Sequence, residues 1–300
     1  DGYFGMICAT VTAGECTVRN GCRALGVSES GYYDWQRRQR LGPSIRQTSD
    51  EQLTKRIVTI FVESGKAYGS PRVHAVLRHS GEKCSKHRVA RLMRKAKLRS
   101  RRARKVRRIR TTDSKHAFPV AQNVLGREFT ATTSDKKWVA DVTYIPTEKG
   151  WLFLAVILDL YSRKVVGWSA ATRFNRELVC RALSNALEVR KAPELLHSDR
   201  GVQYASDAFQ EMLCAAGIHC SMSRKGDPYD NAVVESFFAS LKSEIDMPSD
   251  GFVNPAAAKR TLFAYIDGFY NIRRLHSSLG YMSPVAFEAK KQLLSEEGFA

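Results

Sequence analysis

The sequence predicts an α/β (α+β) domain with a mixed sheet, in the order βββαβαβα, preceded by helical helix-turn-helix modules. Residues 1–120 contain short helical patterns that begin at Ser or Pro and end near glycines, which is typical of small helical modules. From Lys137 onward, apolar runs rich in β-branched and aromatic residues alternate with helical stretches, which is typical of a mixed sheet. The net charge of +18 lies entirely in residues 1–120, which contain 27 Lys and Arg against 9 Asp and Glu.

The composition excludes several classes of protein. With 43% hydrophobic and 10% aromatic residues among 300, the chain can bury a core, which excludes global disorder. Its longest apolar run, residues 151–158, is far shorter than the roughly 20 residues that span a bilayer. Seven scattered cysteines without a CxxC pair, and histidines without HHCC spacing, argue against a disulfide framework or a zinc site. We therefore expect a cytoplasmic protein without membrane contact, associated with the nucleoid when it binds DNA.

The first predicted module occupies residues 1–45. Residues 16–38 indicate a short helix, a turn at Gly26 and a second helix with Ser28 as its N-cap. This punctuation is typical of a helix-turn-helix. The chain begins with Asp1 rather than Met, which fits either a fragment or the downstream part of a longer or frameshifted product.

A second helix-turn-helix module, with three helices, is predicted within residues 46–120. The pattern predicts a helix over 50–62, a second that starts near Pro71 and a third with Ser85 as its N-cap. The third helix would face the major groove of DNA as a recognition helix. The alternative is an ordinary packing module with a solvated basic face. The outer side of this helix contains the candidate DNA-binding residues Lys86, Arg88, Arg91, Arg94 and Lys95.

An arginine-rich tract follows this helix. Residues 91–110 contain 12 basic residues in 20 positions, among them Arg101 and Arg102. Such a density is typical of binding to a phosphate backbone. A solvated basic face or a localisation-like tract is the alternative. We expect Arg101 and Arg102 to contact DNA.

The second half of the chain predicts the sheet. An antiparallel meander of three strands is followed by alternating helices and strands, and a turn-rich loop at 226–231 opens a long helix. This order is that of the RNase H-like fold, which we assign to residues 130–248 and follow with a helical extension over 249–300. The predicted strands are 138–145, 151–160, 164–171, 194–197 and 218–221, and the predicted helices are 176–189, 206–216 and 232–245.

Three acids are candidate catalytic residues. Asp141 lies inside the first strand, where a carboxylate needs a partner or a function. Asp199 follows the fourth strand, and Glu235 lies on the long helix. Between Asp199 and Glu235 lie 35 residues. The spacing by itself is a weak signal. In this topology, however, the first and fourth strands are central neighbours and the helix packs across their ends, so the three acids converge.

Converging carboxylates indicate a metal site. Three such groups would repel one another without a cation, and hard oxygen ligands favour Mg²⁺ or Mn²⁺. Two such ions would activate water or a 3′-hydroxyl and stabilise the leaving oxygen in phosphoryl transfer. Lys242, seven residues after Glu235 and on the same helix face, would touch a phosphate. For any one of the acids, a role as a cap or as a surface residue is the alternative.

Motifs along nearly the whole chain resemble one family. The segments CRALGVSESGYYDW, YGSPRVHAVLR, WVADVTYI, HSDRGVQYAS, GDPYDNAVVESFFASLK and YNIRRLHSSLGYMSP are similar to those of the insertion-sequence three transposases, in their OrfB-type catalytic part. That family belongs with retroviral integrases in the D,D-35-E superfamily and has an integrase catalytic core.

This resemblance implies a function and a set of residues. It implies that Asp141, Asp199 and Glu235 form the metal-binding catalytic triad and that Lys242 is the basic residue after the Glu. Asp159 also fits the family pattern, but the predicted fold places it away from the three acids, so we expect it to be structural or to support the acids without binding the metal. The resemblance further implies a signature of Tyr270, Asn271, Arg274 and His276 used for packing or for contact with end DNA.

The same resemblance implies the reaction and its partners. It implies a DNA transposase that cleaves element ends and transfers strands, with double-stranded DNA (terminal inverted repeats and target) as substrate. A homo-oligomer on DNA and an upstream OrfA-type product are its expected partners. Two alternatives stay open: an inactive or truncated copy that only binds DNA, and an RNase H-like nuclease that cuts without joining.

Overall fold

The computed structural model describes residues 2–42, 44–101, 118–225 and 227–297, and begins with three short helices. Helix α1 spans Gly2–Thr12, α2 Val18–Ala24 and α3 Glu29–Leu41. Gly26 has φ +63°, a conformation that favours glycine, and Ser28 accepts a hydrogen bond from the backbone N–H of Gly31. The turn and the N-cap predicted from the sequence are therefore confirmed, whereas α1 was not predicted.

Three further helices form the second module. Helix α4 spans Ile45–Glu63, α5 Ser70–His79 and α6 Lys86–Lys95. Helix α4 begins five residues before the predicted start because the side chains of Ser44 and Gln47 form a capping box. The core of this three-helix module contains buried residues of all three helices, Leu53, Ile57, Val73, Leu77, Val89 and Leu92.

A five-stranded mixed sheet follows. Its strands are β1 Lys137–Thr147, β2 Gly150–Asp159, β3 Val165–Ala171, β4 Leu195–Ser198 and β5 His219–Met222. They lie in the order β3-β2-β1-β4-β5, with the first three antiparallel and with β4 and β5 parallel to β1. The predicted meander and the predicted pairing of the first with the fourth strand are confirmed.

Helices cover both faces of the sheet. Helices α7 (Arg176–Val189), α8 (Val202–Ala205) and α9 (Asp207–Ala215) pack on one face, and α10 (Ala232–Glu244) packs on the other. The predicted order of strands and helices is thus confirmed, and the structure adds the single turn α8. None of the helices in the described ranges combines the length and the apolar character that crossing a membrane requires.

The last part of the chain packs on the same face as α10. Helix α11 (Pro255–Tyr265) continues into a π-helical turn (Ile266–Tyr270), and a final helix, α12, spans Pro284–Glu297. Leu262 and Ile266 are fully buried in one cluster with residues of β1, β2 and α10. The residues that the sequence assigns to an extension after residue 248 therefore share a core with the sheet. The domain boundaries themselves stay predictions.

Candidate active site

Asp141 lies in the middle of the central strand β1. It is opposite Val156 of β2, and its Oδ1 accepts a hydrogen bond of 2.7 Å from the backbone N–H of Val142. The neighbours of Asp141 on the strand, Ala140 and Val142, are buried, but its own side chain remains partly accessible. A charged group in a central strand is costly unless a hydrogen-bond donor or a cation compensates it, so a carboxylate that is kept there indicates a function.

Asp199 follows the parallel strand β4, next to β1. Its Oδ1 accepts a hydrogen bond of 2.9 Å from the backbone N–H of Gly201. A Cβ at position 201 would lie 3.0 Å from that same oxygen, so the close approach of the carboxylate favours glycine there. The HSDRG segment thus orients Asp199 through backbone geometry.

Glu235 lies in the first turn of α10 and is exposed. A short 3₁₀ turn (Pro228–Asn231) leads into the helix, and the Asn231 Nδ2 donates a hydrogen bond of 3.1 Å to the carbonyl of Ala140. Ala140 precedes Asp141, so this bond fixes the start of α10 beside the first acid. Asn231 is itself buried, which makes the link independent of solvent.

A buried acid, Asp230, holds the loop before α10 in place. Its carboxylate accepts hydrogen bonds from the backbone N–H and the guanidinium of Arg224, from the Arg127 Nε at 2.9 Å and from the Asn123 Nδ2 at 2.8 Å. The hydrogen bonds from Arg224 are the main reason why the pKa of Asp230 lies well below its usual range. Sequence reasoning missed Arg127 and Arg224. For Arg224 the available signal was its place just before the GDPYDN loop, whereas no local pattern links Arg127 to that loop, since it lies 103 positions before Asp230.

The three predicted acids share one electrostatic field. Burial first, then the charge of Asp199 and, more weakly, that of Glu235, raise the pKa of Asp141 well above its ordinary value. The structure therefore brings together residues from three distant parts of the chain. Within the described ranges, no group of three or more His, Cys, Asp and Glu side chains is arranged so that it could hold a metal ion by itself.

Lys242 contributes a positive charge to this region. Its Nζ lies 4.6 Å from the centre of the Tyr144 ring, which in turn makes an edge-on contact with Trp151 at 5.1 Å. Burial lowers the pKa of Lys242, while Asp141 opposes that shift. An ammonium group that faces both an aromatic ring and the first acid is suited to binding an anion at this site.

Tyr204, on α8, is a further residue near the acids that the sequence did not single out. Burial, followed by the charges of Asp141 and Asp199, raises its pKa well above the ordinary value. Its hydroxyl is buried and has no hydrogen-bond partner in the described part of the chain. The phenol therefore stays protonated beside two carboxylates. Its position in the HSDRGVQY segment was the available signal.

Two other polar residues near the sheet are structural. Asp159 is fully buried and accepts hydrogen bonds from the backbone N–H and hydroxyl of Ser162, so it closes the turn after β2. This is the placement that the sequence predicted for it. His197 lies between Ser221 at 2.8 Å and Ser223 at 3.1 Å, and burial lowers its pKa to about 4.

The candidate DNA-binding residues differ in their surroundings. Lys86, Arg94 and Lys95 are exposed on α6. By contrast, Arg88 and Arg91 both form ion pairs with Asp50 of α4, at 2.8 and 2.7 Å. Arg101 pairs with Asp246 at 3.0 Å, and Arg102 lies outside the described residues. Their role in DNA binding stays a prediction.

The YNxxRxH signature faces the protein interior. The side-chain amide of Asn271 pairs with the backbone N–H and C=O of Val165, at 2.9 and 3.0 Å, and so covers part of the edge strand β3. The Tyr270 hydroxyl donates to the carbonyl of Arg163. Arg274 and His276 are buried. Of the two roles that the sequence left open, packing matches these contacts.

Known proteins and family models match almost all of this chain. A model of an HTH-like domain matches residues 48–106, and two models of an integrase core domain match residues 131–228 and 216–284. Among solved structures, the HTLV-2 integrase catalytic core domain in complex with magnesium (trimeric form) is 18% identical, with a TM-score of 0.41, over 53% of this chain and 99% of that chain.

Two relatives from insertion sequences are similar over their full length. The transposase InsF of insertion sequence IS3A from Escherichia coli (strain K12) is 40% identical over 92% of this chain and 95% of its own. An uncharacterized 31 kDa protein of insertion element IS600 from Shigella sonnei is 40% identical over 90% of this chain and 97% of its own. Since this identity extends over nearly the whole of both chains, the protein belongs to the OrfB-type, integrase-core transposases of the insertion-sequence three family.

Proposed function

We propose that this insertion-sequence DNA transposase uses Asp141, Asp199 and Glu235 as metal-binding catalytic residues. They would catalyse hydrolysis that exposes a 3′-hydroxyl at the ends of the element. They would then catalyse attack of that hydroxyl on another phosphodiester, whose own 3′-oxygen leaves as the new bond forms.

The observation that carries the proposal is geometric: β4, which Asp199 follows, pairs with β1, and Asn231 at the start of α10 donates a hydrogen bond to Ala140, next to Asp141. In agreement with this geometry, burial and the charges of Asp199 and Glu235 raise the pKa of Asp141. Acids with such mutual repulsion, in one accessible place, are typical of sites that work with an added cation.

The donor set fits Mg²⁺ or Mn²⁺. Carboxylate oxygens are the ligands that these hard cations prefer, and Mg²⁺ is usually bound through one or two carboxylates with waters and substrate phosphates. A closed set of three protein ligands is therefore not required. When bound, two such ions would supply activation of the attacking oxygen and stabilisation of the leaving one.

The chain itself would orient the acids and the DNA. The backbone N–H groups of Val142 and Gly201 each hold one carboxyl, of Asp141 and Asp199, in a single orientation. Asn231 and Asp230 fix the start of the helix that carries Glu235. The ammonium of Lys242 would bind a phosphate of the DNA strand beside the acids.

The helical modules would hold double-stranded DNA, both the terminal inverted repeats and the target. The exposed residues Lys86, Arg94 and Lys95 of α6 support this role, together with the basic tract that continues through Arg101 and Arg102. We propose a homo-oligomer that bridges two element ends, acting with an upstream OrfA-type product.

The test is a strand-transfer assay on labelled DNA with the element's own ends, with Mg²⁺ or Mn²⁺ and with the OrfA-type product added. Joined product is expected from the wild type and from Glu211→Gln, which alters an exposed acid on α9. No joined product is expected from Glu235→Gln, although it still binds the DNA. Cleavage without joining would instead indicate a nuclease, and binding without cleavage an inactive copy.

A further inference from the structure

A buried ionic cluster joins the second helical module to the far end of α10. Glu244, in the last turn of α10, accepts hydrogen bonds of 2.7 Å on both carboxylate oxygens from Arg274. The two side chains are 6% and 5% exposed. Tyr265 donates a further hydrogen bond of 2.8 Å to Glu244. The carboxylate is thus already paired from within the sheet domain.

Arg72, on α5 of the helical module, reaches into this cluster. Its guanidinium lies 3.8 Å from Glu244, and its Nε donates a hydrogen bond of 2.9 Å to the carbonyl of Leu275. The neighbouring Tyr68 donates from its hydroxyl to the carbonyl of Arg273 at 3.1 Å and accepts from the N–H of Leu275 at 2.9 Å. Two side chains of the module therefore form hydrogen bonds with one short backbone segment of the sheet domain, residues 273–275.

The charges at this junction do not balance. Arg72 and Arg274 together face one carboxylate, Glu244. His276 adds no charge, since burial and the two guanidinium groups lower its pKa to about 3. Partial burial of a second arginine beside an already paired acid is costly. Stabilisation of the sheet domain therefore does not explain why Arg72 lies beside Glu244. Contact between the helical module and the sheet domain does explain it.

The junction and the candidate active site share one rigid element. Glu235 lies in the first turn of α10 and Glu244 in its last, about 14 Å apart along the helix at 1.5 Å per residue. Val234 and Leu241, on the same helix, are fully buried and hold it against the sheet. One helix therefore fixes the position of Glu235 relative to that of Glu244.

We infer that Arg72 is a positioning residue that sets the helical module in register with the helix bearing Glu235. End DNA held by the module is thereby presented to the acids in one geometry. This inference rests on the proposed function of the three acids. It assigns Arg72 to the junction between the units, and not to the DNA interface.

The experiment compares Arg72→Ala and Arg72→Lys with Arg78→Ala, which removes the same charge from an exposed position of the same helix. Affinity for end DNA is measured by fluorescence anisotropy, and strand transfer is measured at saturating DNA. We expect Arg72→Ala to bind end DNA as the wild type does and to transfer strands about tenfold more slowly. Arg72→Lys restores part of the rate, and Arg78→Ala leaves the rate unchanged.

Hydrogen exchange of residues 268–279 and 232–244 completes the design. We expect faster hydrogen exchange in Arg72→Ala than in Arg78→Ala, because Arg72→Ala loses the hydrogen bond to the carbonyl of Leu275. A wild-type transfer rate in Arg72→Ala, or a loss of DNA affinity as large as the loss of rate, would overturn the inference. Unchanged hydrogen exchange in Arg72→Ala would also overturn the inference, whether or not the wild type joins DNA. Altered exchange with no joining by the wild type would support the junction and overturn the proposed function alone.

Discussion

The two ends of helix α10 hold their carboxylates in opposite ways. At the first turn, Glu235 adds to the repulsion that raises the pKa of Asp141. At the last turn, Glu244 is paired with Arg274 at 2.7 Å and closed off from solvent. The loop before the helix repeats the second pattern, because Arg224 and Arg127 surround Asp230.

The difference distinguishes acids that the protein pairs with its own arginines from the acids that we propose bind a metal ion. A carboxylate that the protein itself compensates contributes to folding, and its removal leaves unpaired cations behind. Carboxylates whose mutual repulsion raises a pKa, as at Asp141, make folding less favourable, and an added cation would relieve that repulsion. The following predictions can break or sharpen this distinction.

The largest expected effect is on activity at the first set of acids. Asp141→Asn should lower the rate of strand transfer at least about a thousandfold, since metal binding supplies several kcal/mol of stabilisation to the transition state. The same change should raise Tm, because it removes a repelled charge and keeps an acceptor for the Val142 N–H. A thermal melt beside the transfer assay checks both, and a lower Tm would mean that Asp141 is a structural acid.

Mg²⁺ sharpens this prediction. Adding Mg²⁺ should raise the Tm of the wild type, because a ligand that binds only the folded state stabilises it. The increase should be absent in Asp141→Asn. An equal increase in both proteins would place the ion elsewhere.

Glu244→Gln should have the largest effect on stability. Removing one partner of a buried ion pair leaves Arg274 uncompensated, at a cost of about 3 to 5 kcal/mol in the free energy of unfolding. Asp246→Asn is the matched control, because Asp246 is 88% exposed and its pairing with Arg101 is worth at most about 1 kcal/mol. Urea denaturation measures both. Similar losses in the two variants would contradict the picture of a compensated buried end.

Asp230→Asn should cost less stability, about 1 to 3 kcal/mol, because its arginine partners are partly exposed and water can solvate them. It should also slow strand transfer, since the loop that leads into α10 loses the charged carboxylate to which Arg224 and Arg127 donate hydrogen bonds. The exposed acid Asp250 provides the comparison, as Asp250→Asn. An Asp230→Asn protein with wild-type stability and rate would rule out a positioning role.

The smallest expected effect concerns pH. The pKa of His197 is about 4 in the folded protein, whereas an unperturbed histidine, as in the unfolded chain, has a pKa of 6.5. The unfolded chain therefore binds more protons between these two values. Stability is therefore lost as pH falls from 6.5 towards 4. At pH 5 this loss is about 1 to 2 kcal/mol. His197→Gln, which cannot titrate, should flatten the dependence of Tm on pH in this window, and an identical slope in both proteins would contradict the neutral, buried histidine.

Much of the fold followed from local patterns. The helix over residues 176–189 and the start of α10 at Ala232 lie where the sequence predicted them, since apolar periodicity and caps are properties of neighbouring residues. Helices α1 and α8 were missed. The apolar residues of helix α1 do not form a one-sided helical pattern, and α8 is a single turn, which periodicity cannot reveal.

The candidate site could be predicted only as far as topology reaches. The sequence placed Asp141, Asp199 and Glu235 on elements whose order brings them together, and the shared field of these acids agrees with that expectation. Their roles as catalytic and metal-binding residues stay predictions. The partners of Asp230, and the buried hydroxyl of Tyr204, depend on contacts between residues far apart in the chain.

By itself, the sequence determined the charge division at residue 120 and the order of the elements, because these depend on composition and local patterns. The three candidate acids followed from that order, which brings their elements together. Only the tertiary structure decided which charges are compensated. Arg72 and Glu244 lie 172 positions apart, and no periodicity links them. Whether a carboxylate is structural or functional depends on what surrounds it in three dimensions, and that is set when the helical module and the sheet pack together.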